Sequence, residues 1–148
     1  MQIHHTSEVD SCKKKEKNTI IWRWTQISRG VWIGNDCMIG NCCYIGPNVR
    51  IGNNVRIQNG CFIPEGVEIG DNTFLGPHVV FTNDKYPPSG KLYLTRVGKW
   101  VSIGANSTIL PVLIGDNVRI GAGSVVTKDL TTNVYFGNPA RPKDEVCD

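Results

Sequence analysis

The residues able to do chemistry are few. In FTNDKYPPS, residues 81–89, Asn83 and Asp84 stand side by side, and an amide beside a carboxylate either starts a turn or orients a polar group brought by a substrate. His78 is the tempting general base by residue type. Histidine also tolerates a left-handed backbone, and a corner position is the preferred reading of this one. His4 and His5 lie at the very start. A zinc centre built on three histidines has only His78 to draw on beyond that start, so no metal is expected. The glycines of GAGSVV, residues 121–126, match a dinucleotide fingerprint in part, but no helix follows them.

The elements that must position these residues are read from apolar spacing. Counting by six from Ile21 reaches Ile27, Ile33, Ile39, Ile45, Ile51, Ile57, Ile63, Ile69, Leu75 and Phe81 without a miss. Two residues before each anchor stands a small or β-branched residue: Thr19, Thr25, Val31, Cys37, Cys43, Val49, Val55, Cys61, Val67, Thr73 and Val79. Positions i and i−2 of an extended chain share a face, so both columns point inward. Gly34, Gly40, Gly46, Gly52, Gly70 and Gly76 follow their anchors, and Asp36, Asn48, Asn54, Gly60, Gly66 and Asn72 come two places later. Those are residue types that accept a left-handed corner. Each hexad is therefore a short strand and a turn, and three close a triangular coil with stacked parallel faces, a β-helix.

In this frame Cys37, Cys43 and Cys61 act as small hydrophobes inside the tube. Cys12, Cys42 and Cys147 fall off the column and have no evident role. The register resumes at Val97, Ile103, Ile109, Ile114, Ile120 and Val126, with Val101, Ser107, Val112, Val118 and Ser124 as the small column. The step from Ile109 to Ile114 is one residue short, which predicts a tightened corner at Leu110-Pro111. Ile3 and Val9 keep step before Ile21, whereas Lys15 does not, so the basic stretch 13–17 is expected to bulge. Residues 82–96 form the long interruption, where a rigid solenoid tends to carry function.

The chain has 148 residues and a net charge of +3. One domain over 1–148 is expected, with a mild basic bias that suits a phosphate-bearing small molecule and falls short of a nucleic-acid footprint. No apolar run approaches a membrane span, and MQIHHTSEVD lacks the layout of an export signal. A cytoplasmic protein with reduced thiols follows as the expectation. Outward residues 18 apart stack: Gln26, Tyr44, Phe62 and Val80 on one face, Ile20, Met38, Arg56 and Phe74 on another, Trp32, Arg50 and Glu68 on the third. The first two columns are apolar enough to predict a cyclic homo-oligomer, with a trimer favoured.

The repeated [Ile/Leu/Val]-Gly-x-x-[small]-x resembles the bacterial hexapeptide-repeat acyltransferases. That resemblance implies an all-β fold, a left-handed parallel β-helix, against the usual right-handed crossover. Within it, residues 57–89 and their Phe-Thr-Asn-Asp are similar to the N-acetyltransferases acting on nucleotide-linked 3-amino-deoxy sugars, in particular the dTDP-3-amino-3,6-dideoxyhexose branch. UDP-linked relatives share Phe-Thr-Asn. The resemblance implies acetyl-CoA as co-substrate, a nucleotide-linked amino sugar as acceptor and a homotrimer with active sites between subunits. It assigns Asn83 to the sugar's amino group. Asn83 and Asp84 are then the catalytic candidates, with Asp84 orienting the amine or neighbouring hydroxyls, and Tyr86 and His78 join them as substrate-binding candidates. The resemblance places CoA beside Ser102, Gly104 and Ala105, and beside Gly121, Ala122 and Gly123, with Lys128 and Arg141 meeting its phosphates. WRWTQ, residues 22–26, departs from the family's pattern.

Two other function classes stay open. An O-acetyltransferase of the same fold needs a histidine base for its hydroxyl acceptor. A non-catalytic β-helix scaffold would explain the periodic part of the chain by folding alone.

Overall fold

The computed structural model describes residues 1–10, 17–131 and 133–145; Cys12, Cys147 and most of the basic stretch fall outside them. Nearly all regular structure is two-residue strands wound into about seven turns of a left-handed parallel β-helix. The coils stack as three sheets of nine, seven and five strands. Strands three steps apart pair in register, so Ile20 lies over Met38, Arg56, Phe74 and Ser102 on the first face. Gln26, Tyr44, Phe62, Val80 and Thr108 follow one another on the second. Trp32, Arg50, Glu68, Arg96 and Leu113 do so on the third.

Both inward columns are buried as the periodicity predicts, from Ile21 to Phe81 and again from Val97 to Val126. Burying one such anchor is worth roughly 1.5–3 kcal/mol, so the column carries most of the stability. Glycine follows an anchor because the next coil's backbone lies there: a Cβ on Gly76 would sit 2.6 Å from the Ala105 nitrogen. The later corner slot is left-handed, at φ 58° for Asp36, 56° for Asn48 and 59° for His78. Cys42 also fills that slot, at φ 56°, so it is a corner residue with an exposed thiol.

The threonines and cysteines of the small column share one pattern, whereas Ser124 donates to the Gly121 carbonyl three residues back at 2.6 Å. Thr19, Thr25 and Thr73 donate to the carbonyls of Gly34, Gly40 and Gly98 at 2.9, 2.7 and 3.0 Å. Cys37 and Cys61 donate to Gly52 and Gly76 in the same way. In each case the acceptor follows an anchor one coil on. Thr95 breaks the pattern. Its acceptor would be Leu110, at the corner where a three-residue link replaces the usual four, and the Thr95 hydroxyl is buried without a partner. Thr95→Val should therefore raise stability by about 1 kcal/mol. Thr25→Val should cost about 1–3 kcal/mol, because it strands the Gly40 carbonyl and the Cys43 N–H that bonds the same hydroxyl. Urea unfolding of the two variants reads both signs.

The excursion is shorter than the spacing suggests. Thr95 already points inward and Arg96–Val97 is already a strand, so it spans residues 82–94. Counting from the resumed anchors placed its end late because the small-column residue and the outward residue precede each anchor. Ile3 and Val9 pair with the following coil as expected, and Ile3 is exposed.

Candidate active site

Hexad arithmetic decides where each candidate lies. His78 ends the corner between the first and second faces, and Thr82 and Asn83 begin the excursion between the second and third. The strand Val80–Phe81 separates them.

The excursion is ordered by Asp84. Its carboxylate accepts the Tyr86 N–H at 3.0 Å, the Ser89 N–H at 2.7 Å and the Ser89 hydroxyl at 2.7 Å. The Ser89 hydroxyl first, then these N–H groups, hold the carboxyl below its ordinary range. A carboxylate so stabilised is a weak proton acceptor and a good organiser. The Tyr93 N–H closes the base of the excursion on the Asn83 carbonyl at 2.8 Å. Tyr86 is exposed at its tip.

Two polar groups at this base are left over. The Asn83 side chain is half-buried and makes no hydrogen bond among the described residues, and the Thr82 hydroxyl oxygen is buried without a partner. Buried polar groups in folded proteins are nearly always satisfied, so Thr82 stands out among the residues at this base.

The other edge collects a different set. Gly104 and Ala105 follow the strand Ser102–Ile103, and Gly121 and Ala122 follow Arg119–Ile120, so both pairs share the edge of His78. Ala122 and Gly123 are exposed, and a Cβ on Gly123 would meet nothing within 4 Å. Small residues there leave backbone groups open to a ligand. Gly104 has a purely structural reason as well, since a Cβ on it would strike Ala122. Arg141 lies beside this edge at the end of the tube, where the Ala140 N–H bonds the Val125 carbonyl at 2.8 Å. Lys128 does not join it. It follows Val125–Val126 and lies on the edge of the excursion instead.

The inward cysteines Cys37, Cys43 and Cys61 are buried in the tube. Burial pushes the Cys37 thiol up, and the Cys43 hydrogen bond together with burial does the same to Cys61. Among the described residues no cluster of three metal-ligating side chains occurs. Among the described residues no helix is long and apolar enough to cross a membrane.

The sequence reading missed a cleft of about 890 Å³ on the third face, lined by Trp32, Arg50, Glu68 and Arg96 among others, with Arg96 paired to Glu68 at 2.9 Å. The outward column of that face was its signal. None of the candidates on either edge lines it.

Comparison with known proteins agrees with this architecture. The model for bacterial transferase hexapeptide (six repeats) matches residues 16–47 and 48–83, and that for the hexapeptide repeat of succinyl-transferase matches 95–128. A galactoside O-acetyltransferase of Escherichia coli (strain K12) is 40% identical over 92 residues, which cover 55% of this chain and 45% of the relative. A dTDP-3-amino-3,6-dideoxy-alpha-D-galactopyranose 3-N-acetyltransferase of Aneurinibacillus thermoaerophilus is 51% identical over 55 residues, 36% of this chain and 29% of the relative. The chain thus spans less than half the length of either. Among solved structures, a GDP-perosamine N-acetyl transferase from Caulobacter crescentus, in complex with CoA and GDP-perosamine, superposes with a TM-score of 0.61 at 22% identity, covering 95% of this chain and 55% of that one. That likeness is one of fold. With the repeat matched over more than half its length and the coil geometry in agreement, the chain belongs to the bacterial hexapeptide-repeat transferases.

Proposed function

We propose that the protein transfers an acetyl group from acetyl-CoA to the amino group of a nucleotide-linked 3-amino-deoxy sugar, dTDP- or UDP-linked. The observation that supports this reading is the Asn83 side chain, which makes no hydrogen bond among the described residues and is next in sequence to the buried, unpartnered Thr82 hydroxyl. The amine nitrogen attacks the thioester carbonyl carbon, a C–N bond forms as the C–S bond breaks, and the nitrogen's proton leaves to the departing CoA sulfur. An unprotonated amine is a competent nucleophile, so positioning supplies most of the effect. Asn83 accepts a hydrogen bond from the amine, while Asp84 holds the segment that presents it.

The amine group and the CoA edge lie on opposite sides of the second face in one copy. A cyclic homotrimer that brings the excursion of one subunit against the small-residue edge of the next completes the site. The apolar second face supports such packing: Tyr44 stacks on Phe62 with centroids 5.0 Å apart, and Phe62 is 43% exposed.

His78 supports a second reading. Its side chain is exposed on the CoA edge, and a relative in the comparison is an O-acetyltransferase. Thiol release over a panel of nucleotide-linked 3-amino and 4-amino sugars, each with its hydroxy analogue, separates the two. Amines should be acetylated and hydroxy analogues spared; the reverse preference overturns the reading. His78→Asn keeps the corner and should cost an amine acceptor less than about tenfold, whereas loss of a general base costs about 10²–10⁴-fold.

A further inference from the structure

Residues 22–24 read Trp-Arg-Trp, and coil formation does not require them. Trp24 holds a left-handed corner at φ 55°. A bulky residue is an outlier in that conformation, and such outliers concentrate at functional sites. Its side chain is 62% exposed and that of Trp22 is 44% exposed, so core packing does not offset the strain. Trp100 shares the conformation on another edge, but there the neighbouring cation, Lys99, is paired with Asp71. Arg23, between the two indoles, has no ion pair among the described residues. The corner is also held in place. The Trp24 N–H donates to the Thr6 hydroxyl at 3.2 Å, that hydroxyl lies 2.9 Å from His4 Nδ1, and the Ser7 hydroxyl donates to the Trp22 carbonyl.

This corner stands on the edge of His78, three coils nearer the start of the tube, with Cys42 and Gly60 in the intervening corner slots. Parallel strands are spaced by about 4.8 Å, so the separation is roughly 14 Å. That suits an extended sugar nucleoside diphosphate whose sugar lies at the reacting centre. The geometry points to a nucleotide seat: the acceptor's base stacks on Trp24 with Trp22 beside it, and Arg23 binds the diphosphate. The inference rests on the nucleotide-linked acceptor of the proposed function and adds the residues that select it.

The test uses the full chain with Cys12 and Cys147 replaced by serine, leaving Cys42 as the exposed thiol among the described cysteines. Titration with dTDP and with UDP should quench indole fluorescence and slow alkylation of Cys42. Base–aromatic stacking predicts that Trp24→Asn weakens nucleotide binding about tenfold or more, and that Trp24→Phe restores most of it. Because Asn suits a left-handed corner, Trp24→Asn should melt no lower than the parent, which a merely structural tryptophan would not allow. Arg23→Gln should weaken dTDP more than thymidine. Unchanged nucleotide affinity in Trp24→Asn, or nucleotide binding that leaves Cys42 fully reactive, overturns the seat. If nucleotides bind and protect as described but amines are not acetylated, the seat stands and the amine reading falls.

Discussion

Asn83→Ala is expected to slow acetyl transfer to an amine acceptor about a hundredfold, the loss that follows when a reacting group is no longer held in line. The substitution touches no hydrogen bond among the described residues, because the Asn83 carbonyl, not its side chain, closes the excursion on Tyr93. Particle size, melting temperature and the KM for acetyl-CoA should therefore stay as they were. Asp84→Asn supplies the contrast. It removes charge from the group that gathers Tyr86 and Ser89, so it should loosen the excursion and raise the acceptor KM as well as lower kcat. Asn83→Ala kinetics indistinguishable from the parent would remove Asn83 from the reaction.

Ile51→Lys has the largest expected effect on the fold itself. Ile51 is fully buried and lies between Ile33 and Ile69 in the inward column. An ammonium there has no partner inside the tube, and burying an unpaired charge in addition to losing an apolar anchor costs more than about 5 kcal/mol, comparable to the stability of a whole domain. Loss of the strand signal in circular dichroism at room temperature is the expected result. The adjacent outward change, Arg50→Gln, should move the midpoint by less than about 0.5 kcal/mol. The two neighbours face opposite ways, so the pair tests the hexad register.

Much of this was legible because a six-residue repeat fixes direction at every position. The columns at Ile21 to Phe81, the tightened corner at Leu110-Pro111 and the outward stacks all follow from counting. So does the separation of His78 from Asn83, since five residues across a single strand lead from one edge to the next. What counting cannot reach depends on how side chains settle. Trp24 and Cys42 occupy corners that composition assigns to Asn or Gly, because the coil imposes the left-handed conformation on whatever residue falls there. The late end given to the excursion has the same origin, for Thr95 and Arg96 look like loop residues until Val97 fixes their register. The orphaned hydroxyls of Thr82 and Thr95, and an Arg23 with no ion pair among the described residues, are properties of packed neighbours, which no spacing records. Lys128 pairs with Arg141 in the expectation because both are cations near the end of the tube, and the coil places it on the other edge.

The central claim is that a nitrogen receives the acetyl group. Nuclear magnetic resonance of the product formed from acetyl-CoA and a dTDP-linked 3-amino-3,6-dideoxyhexose tests it most directly. An amide on the sugar nitrogen, with free hydroxyls and one equivalent of released CoA thiol, is the predicted outcome. An acetyl ester on a hydroxyl with the amine untouched, or both reactants recovered unchanged, would contradict it.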